Sequence, residues 1–274
     1  MKRSKLFLVI GITFMVLSVS MVLYPTISNA INSFYSISTI KDYTKYSDTI
    51  SATDRLLSVA EKYNKTLRDT VSTFSYSTDS LVDSYDDALN FEDGLIGYIE
   101  IKKINVKLPI YHGSDPDVLK KGVAHIPNSA LPTGGIGNNT VLSAHTGYPT
   151  QVFFDNLTEL TVGDTINIYV LDNTLTYKIT AKNIVEPDDT SLLNADDTKD
   201  LLSLITCYPY GVNSHRLIVT AERVIVSSTH DEAIESTKSE SKNSFEIIIS
   251  AIIAFSTAAI IVTIARKRRK KYAR

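Results

Sequence analysis

Cys207, His145 and Arg216 are the residues whose chemistry and placement together suit acyl transfer. Cys207, the only cysteine in 274 residues, closes the apolar run "LLSLITC" and precedes the turn "YPYG". His145 closes "TVLSAH" before "TGYP", and Arg216 opens "RLIVTAERV" nine residues after the cysteine. A thiol attacks a carbonyl as its thiolate, so it needs a base or a neighbouring positive charge. An imidazole supplies the first. A guanidinium stays protonated and stabilises a thiolate or a tetrahedral oxyanion. Each residue alone also fits an ordinary role: a packed cysteine, a capping histidine, a solvated strand-edge arginine. Their conjunction at strand boundaries, where a rigid scaffold presents reactive groups, points to chemistry. His112, His125, His215 and His230 are competing histidines; His215 alternates to the face opposite Arg216, and His230 lies in a polar stretch. The set requires no metal and no cofactor. The acidic pairs Asp86-Asp87, Asp188-Asp189 and Asp196-Asp197 lack EF-hand spacing and read as turns.

The ends of the chain set the compartment. Leu6 to Leu23 is an uncharged apolar run behind Lys2, Arg3 and Lys5, and Ile247 to Ala265 is a second, followed by "RKRRKKYAR". At 1.5 Å per residue each run matches a hydrocarbon core of about 30 Å. Both basic flanks place both termini in the cytoplasm, with about residues 25–245 outside the cell membrane. The first run reads as a retained anchor or, given Ser28-Asn29-Ala30, as a cleaved signal. Removing the ten terminal cations from 28 leaves 18 against all 30 acids, so the external part is near −12. That balance excludes nucleic acid, whose binding needs phosphate neutralisation. The basic tail fits anionic lipid. An unpaired extracellular cysteine is a free thiol or an intermolecular one.

Elements that position the three residues are legible in outline. Residues 1–24 form the anchor or signal and 25–93 a helical stalk or cap, without Gly or Pro between Ile27 and Gly94. Leu56, Leu57, Ala60, Tyr63 and Leu67 recur at helical spacing there. Residues 94–226 alternate strand-like runs with turn clusters, including a hairpin turn at Asp172-Asn173, and argue for an all-β barrel or sandwich. Residues 227–246 form a polar linker, and 247–274 a membrane helix with a basic tail.

"LSLITCYPYGVNSHRLIV" resembles the TLxTC signature of sortases with its downstream arginine, and "NTVLSAHTGYP" resembles their histidine strand. "GYIEIKKINVKLPIYHG", "LPTGGIGNNTVLSAHTG" and "IVEPDDTSLL" are similar to the pilus-assembling class C group, as is the C-terminal span. The resemblance runs from about Tyr98 to Arg223. It implies a closed, roughly eight-stranded β-barrel and a cysteine transpeptidase that cleaves an LPxTG-like sorting signal between Thr and Gly. It further implies Cys207 as nucleophile, His145 as general acid/base and Arg216 as transition-state stabiliser. The implied partners are pilin or surface proteins bearing such signals and a lysine amine acceptor. Attachment to peptidoglycan and a non-catalytic pilin- or envelope-binding scaffold are the alternatives. Two departures stand out. Ser203 replaces the signature's first threonine, and no Asp-Pro-aromatic lid motif occurs in "STFSYSTDSLVDSYDDALNF", where Phe74, Tyr76 and Tyr85 are the candidate plugs.

Overall fold

The computed structural model describes residues 2–47, 53–71, 73–77 and 79–225. Eight strands close a barrel: β1 (Leu95–Ile101), β2 (Val106–His112), β3 (Val123–His125), β4 (Asn138–Ser143), β5 (Thr165–Val170), β6 (Asn173–Val185), β7 (Asp200–Tyr208) and β8 (His215–Arg223). Around the barrel they run β1-β2-β3-β4-β7-β8-β6-β5, with β5 pairing back to β1. The β2–β3 and β4–β7 pairs are parallel and the rest antiparallel. The hairpin turn falls one residue earlier than expected. Val170 pairs with Asn173, so Leu171 and Asp172 make the loop, and Leu171 takes a left-handed φ of 49°. The Tyr43 hydroxyl accepts the Leu171 N–H at 2.7 Å, which fixes that conformation from outside the hairpin.

Strands β4, β7 and β8 are apolar on both faces, and that explains their near-continuous hydrophobic runs. Leu142, Leu202, Leu204, Leu217 and Val219 point into the barrel core. Their alternating neighbours Val141, Ile205 and Ile218 form an outer apolar layer with Ile126 and Leu193. An apolar layer outside a closed barrel needs a cover or a ligand.

Helices precede the barrel. α1 runs unbroken from Lys2 to Ser47 through Pro25, longer than the expected span. Among the described residues it is the one helix long and apolar enough to cross a membrane, which suggests membrane anchoring, and Phe7, Phe14, Leu17 and Met21 on it are exposed. Its later turns lie against the barrel, where the Tyr43 hydroxyl donates to the Ile96 carbonyl at 2.8 Å. α2 (Thr53–Thr70) buries Ala60, Tyr63, Asn64 and Leu67, the i, i+3, i+4, i+7 face of an amphipathic helix. Asn64 exchanges hydrogen bonds with Leu131 (Leu131 N–H to Oδ1 at 2.7 Å, Nδ2 to the carbonyl at 3.0 Å). Of the helical segment expected over 25–93, α1 to Ser47 and α2 are helical, whereas the described residues from 71 to 91 form turns, of which Val82, Tyr85 and Leu89 join the core. The expected linker at 227–246 and second span at 247–265 lie outside the described residues.

Candidate active site

Strand register brings the three chemistry-bearing residues together. Cys207 is the direct cross-strand partner of Arg216 in the β7–β8 pair. The parallel β4–β7 register pairs Ser143 with Ile205 and continues past the strand end, where Ala144 N–H donates to the Ile205 carbonyl at 3.2 Å. His145 follows Ser143 by two residues as Cys207 follows Ile205, so the two lie at the same end of neighbouring strands, whose usual spacing is about 4.8 Å. The Thr206 hydroxyl locks this alignment, donating to the Ala144 carbonyl at 2.8 Å and lying 3.1 Å from the Thr146 hydroxyl. Side-chain alternation puts Cys207 with Ile205 and Arg216 with Ile218 on the outer face, while His145 lies just past the end of β4. Cys207 and Arg216 therefore stand at one end of the outer apolar layer, with the His145 loop beside them.

Each side chain is held by its own loop. Cys207 is half-buried and free of disulfide bonding. The His145 imidazole stacks on Tyr148 (centroids 5.0 Å apart, planes 7° apart) and meets the edge of Phe153 at 6.3 Å. Burial lowers the pKa of His145 below 6.5, against a smaller opposing pull from Asp155, so the imidazole is mainly neutral at pH 7. Arg216 is half-buried, and its Nη1 donates to the carbonyls of His215 at 3.0 Å and Asn213 at 3.2 Å. This turns the guanidinium back over the β7–β8 loop. The two loops also touch. Gly147, at φ +74°, leaves room for the Tyr210 ring, which a Cβ would meet at 3.3 Å.

The competing histidines are accounted for by packing. His125 is fully buried; its Nε2 donates to the Ala130 carbonyl at 2.9 Å, and the Tyr85 hydroxyl lies 2.9 Å from its Nδ1. Burial lowers its pKa to about 3. His112 is buried edge-on against Tyr85. His215 sits on the face opposite Arg216 and lies 3.4 Å from Glu186. His230 lies outside the described residues. Of the acidic pairs, Asp189 accepts the Ser191 N–H at 3.0 Å and Asp196 the Thr198 N–H at 2.9 Å, both as turn acceptors.

Type and spacing do not single out one of the three candidate plugs. Phe74 lies on the outer apolar layer among Ile126, Val141, Leu193, Ile205 and Ile218. Its N–H donates to Asn194 Oδ1 at 2.8 Å, tying the segment before the barrel to the β6–β7 connection. Of the other candidate plugs, Tyr76 is exposed and Tyr85 is in the core with the histidines. Thr206, Tyr148 and Tyr210 escaped sequence reasoning. Only Thr206, beside the cysteine, gave a signal there.

A family model described as the sortase domain matches residues 99–224. Sortase D of Bacillus subtilis (strain 168) is 37% identical over 131 residues, 47% of this chain and 63% of that protein. The chain thus spans less than two thirds of the length of this curated relative. Sortase C1 from Streptococcus agalactiae superimposes with a TM-score of 0.65 at 36% identity, covering 69% of this chain and 99% of that one. Clostridium perfringens sortase C, solved with a C-terminal cell wall sorting motif, gives 0.62 at 39% identity, covering 69% and 100%.

Proposed function

The chain belongs to the sortase family, and on that premise we propose that it is a membrane-anchored cysteine transpeptidase acting on an LPxTG-like sorting signal. The observation that supports this reading most directly is the register that sets Arg216 opposite Cys207, with the His145 loop alongside through the Thr206 bonds to Ala144 and Thr146. His145 takes the thiol proton as the sulfur attacks the threonine carbonyl. Arg216 stabilises the oxyanion that forms. Collapse breaks the Thr–Gly bond, the proton on His145 leaves with the glycine amine, and a thioester remains on Cys207. An amine then attacks the thioester, loses its proton to His145, and forms the new amide as the thiol is released.

In this reading the acceptor is a lysine amine of another pilin subunit, and the product is a covalent fibre. Similarity to sortases of the C group supports it. The site faces outside the cell, with both termini cytoplasmic. Attachment to peptidoglycan is the second reading, favoured by curated relatives that are sortases of the D and A groups. The two differ only in the amine.

The test uses the full-length protein in detergent with an LPxTG-type peptide and mass spectrometry of trapped intermediates. An acyl adduct on Cys207, absent in Cys207→Ala, that resolves to an amide with a pilin lysine supports fibre assembly. Resolution only with a peptidoglycan amine supports the second reading. A folded protein that forms no adduct with Phe74 intact or truncated is a scaffold.

A further inference from the structure

α1 carries one stripe of residues at spacings of three or four: Asn29, Asn32, Ser36, Ile40, Tyr43 and Ser47. The stripe changes character along its length. Its far end, Ile40, Tyr43 and Ser47, is buried against the barrel, with Tyr43 bonded to β1 and to the β5–β6 hairpin. Its near end, closer to the apolar run, makes polar contacts with Thr150–Val152 of the loop that carries His145. Asn32 Nδ2 donates to the Thr150 carbonyl at 2.9 Å. Gln151 Nε2 donates to Ser36 Oγ at 3.0 Å, with both side chains buried. Val152 N–H donates to Asn29 Oδ1 at 2.9 Å.

Resting on the catalytic reading above, we propose that Asn29, Asn32 and Ser36 are positioning residues for His145, so that the membrane-proximal helix sets the acid/base geometry. The path is short. Phe153, next to the bonded Val152, packs edge-on to the imidazole, and Tyr148, two residues before Thr150, stacks on it. The loop is closed on itself by Phe154 N–H to the His145 carbonyl at 3.0 Å and by Gly147 N–H to Asp155 Oδ1 at 2.9 Å. A closed loop moves as a unit when its far side is released. The apolar attachment through Ile40 and Tyr43 already holds α1 to the barrel. The three polar contacts add registry for the histidine loop, and directional bonds define a position more sharply than apolar packing does.

The experiment compares full-length wild type with the triple variant Asn29→Leu/Asn32→Leu/Ser36→Ala in the same detergent, reading kcat and KM for the sorting peptide per folded molecule. Misplacement of a catalytic group lowers kcat, so a fall of about tenfold or more with KM within about twofold is expected. Asn29→Asp keeps the accepting oxygen and should recover most of the kcat lost in Asn29→Leu. The ring-proton NMR shifts of His145, displaced by the Tyr148 stack, should move in the triple variant. Unchanged kcat and unchanged His145 shifts overturn the proposal. So does a kcat loss accounted for entirely by unfolded protein. If the triple variant fails to fold, the Asn29→Leu and Asn29→Asp pair decides alone, and equal kcat in the two overturns it. His145→Ala separates this from the premise: turnover in His145→Ala removes the catalytic reading, whereas a dead His145→Ala beside a normal triple variant removes only the positioning role.

Discussion

Truncating Phe74 should open the groove. Phe74 is only 7% exposed although it lies outside the barrel, on an apolar layer that includes Ile205, two residues before Cys207. Seating such a ring is worth about 1.5–3 kcal/mol. The backbone bond from Phe74 N–H to Asn194 survives truncation, so the side chain alone is removed. At about 1.4 kcal/mol per tenfold, Phe74→Ala should raise the population with an uncovered groove by roughly 10- to 150-fold. A peptide that competes with the ring binds only that population, so its apparent KM should fall by a similar factor until most molecules are open. The assay is steady-state turnover of an LPxTG-type peptide, with circular dichroism and a melting curve to show that the barrel is intact. Because the ring lies on the outer layer, the melting temperature should drop only modestly. A KM that stays constant or rises in a folded Phe74→Ala protein would refute the view that Phe74 and the substrate share the groove.

Arg216→Lys keeps the charge but loses the planar donor pair, so kcat should fall by about 10²- to 10³-fold in the same assay while Cys207 still alkylates. Since burial lowers the pKa of His145, kcat/KM should rise with pH through a value below 6.5 as the imidazole becomes neutral. Tyr148→Ala admits water to the ring and should move that rise to higher pH; a profile that stays put would separate burial from the shift. His125 has a folded-state pKa of about 3 against 6.5 unfolded. Its neutral form is favoured by folding, so the stability it contributes is complete above pH 6.5 and is lost as pH falls towards 3. Urea midpoints should therefore drop across that window, with a slope of up to about 1.4 kcal/mol per pH unit from this group, and His125→Asn should flatten the slope.

Apolar runs, turn clusters and the change of texture at Gly94 set the strand content and the extent of the β domain. These are local properties of period and punctuation, readable without a fold. Cys207, His145 and Arg216 stood out for the same reason: each has a distinctive chemistry and sits where a strand meets a turn. Their mutual placement was not local. The parallel pairing of β4 with β7 joins residues 62 positions apart, as Ser143 with Ile205, and no spacing in the chain encodes that partner choice. Phe74 was one aromatic among several in its segment, and only tertiary packing selected it over the exposed Tyr76 and the buried Tyr85. The hairpin turn lies one residue earlier, at Leu171 and Asp172, where Tyr43, more than a hundred residues away, accepts the Leu171 N–H. The stripe on α1 was present in the sequence as a spacing, yet its partner was a loop with no periodicity of its own. Sequence specifies which residues can do the chemistry because reactivity belongs to side-chain type. Tertiary structure decides which of them meet, because meeting depends on register between strands distant in the chain.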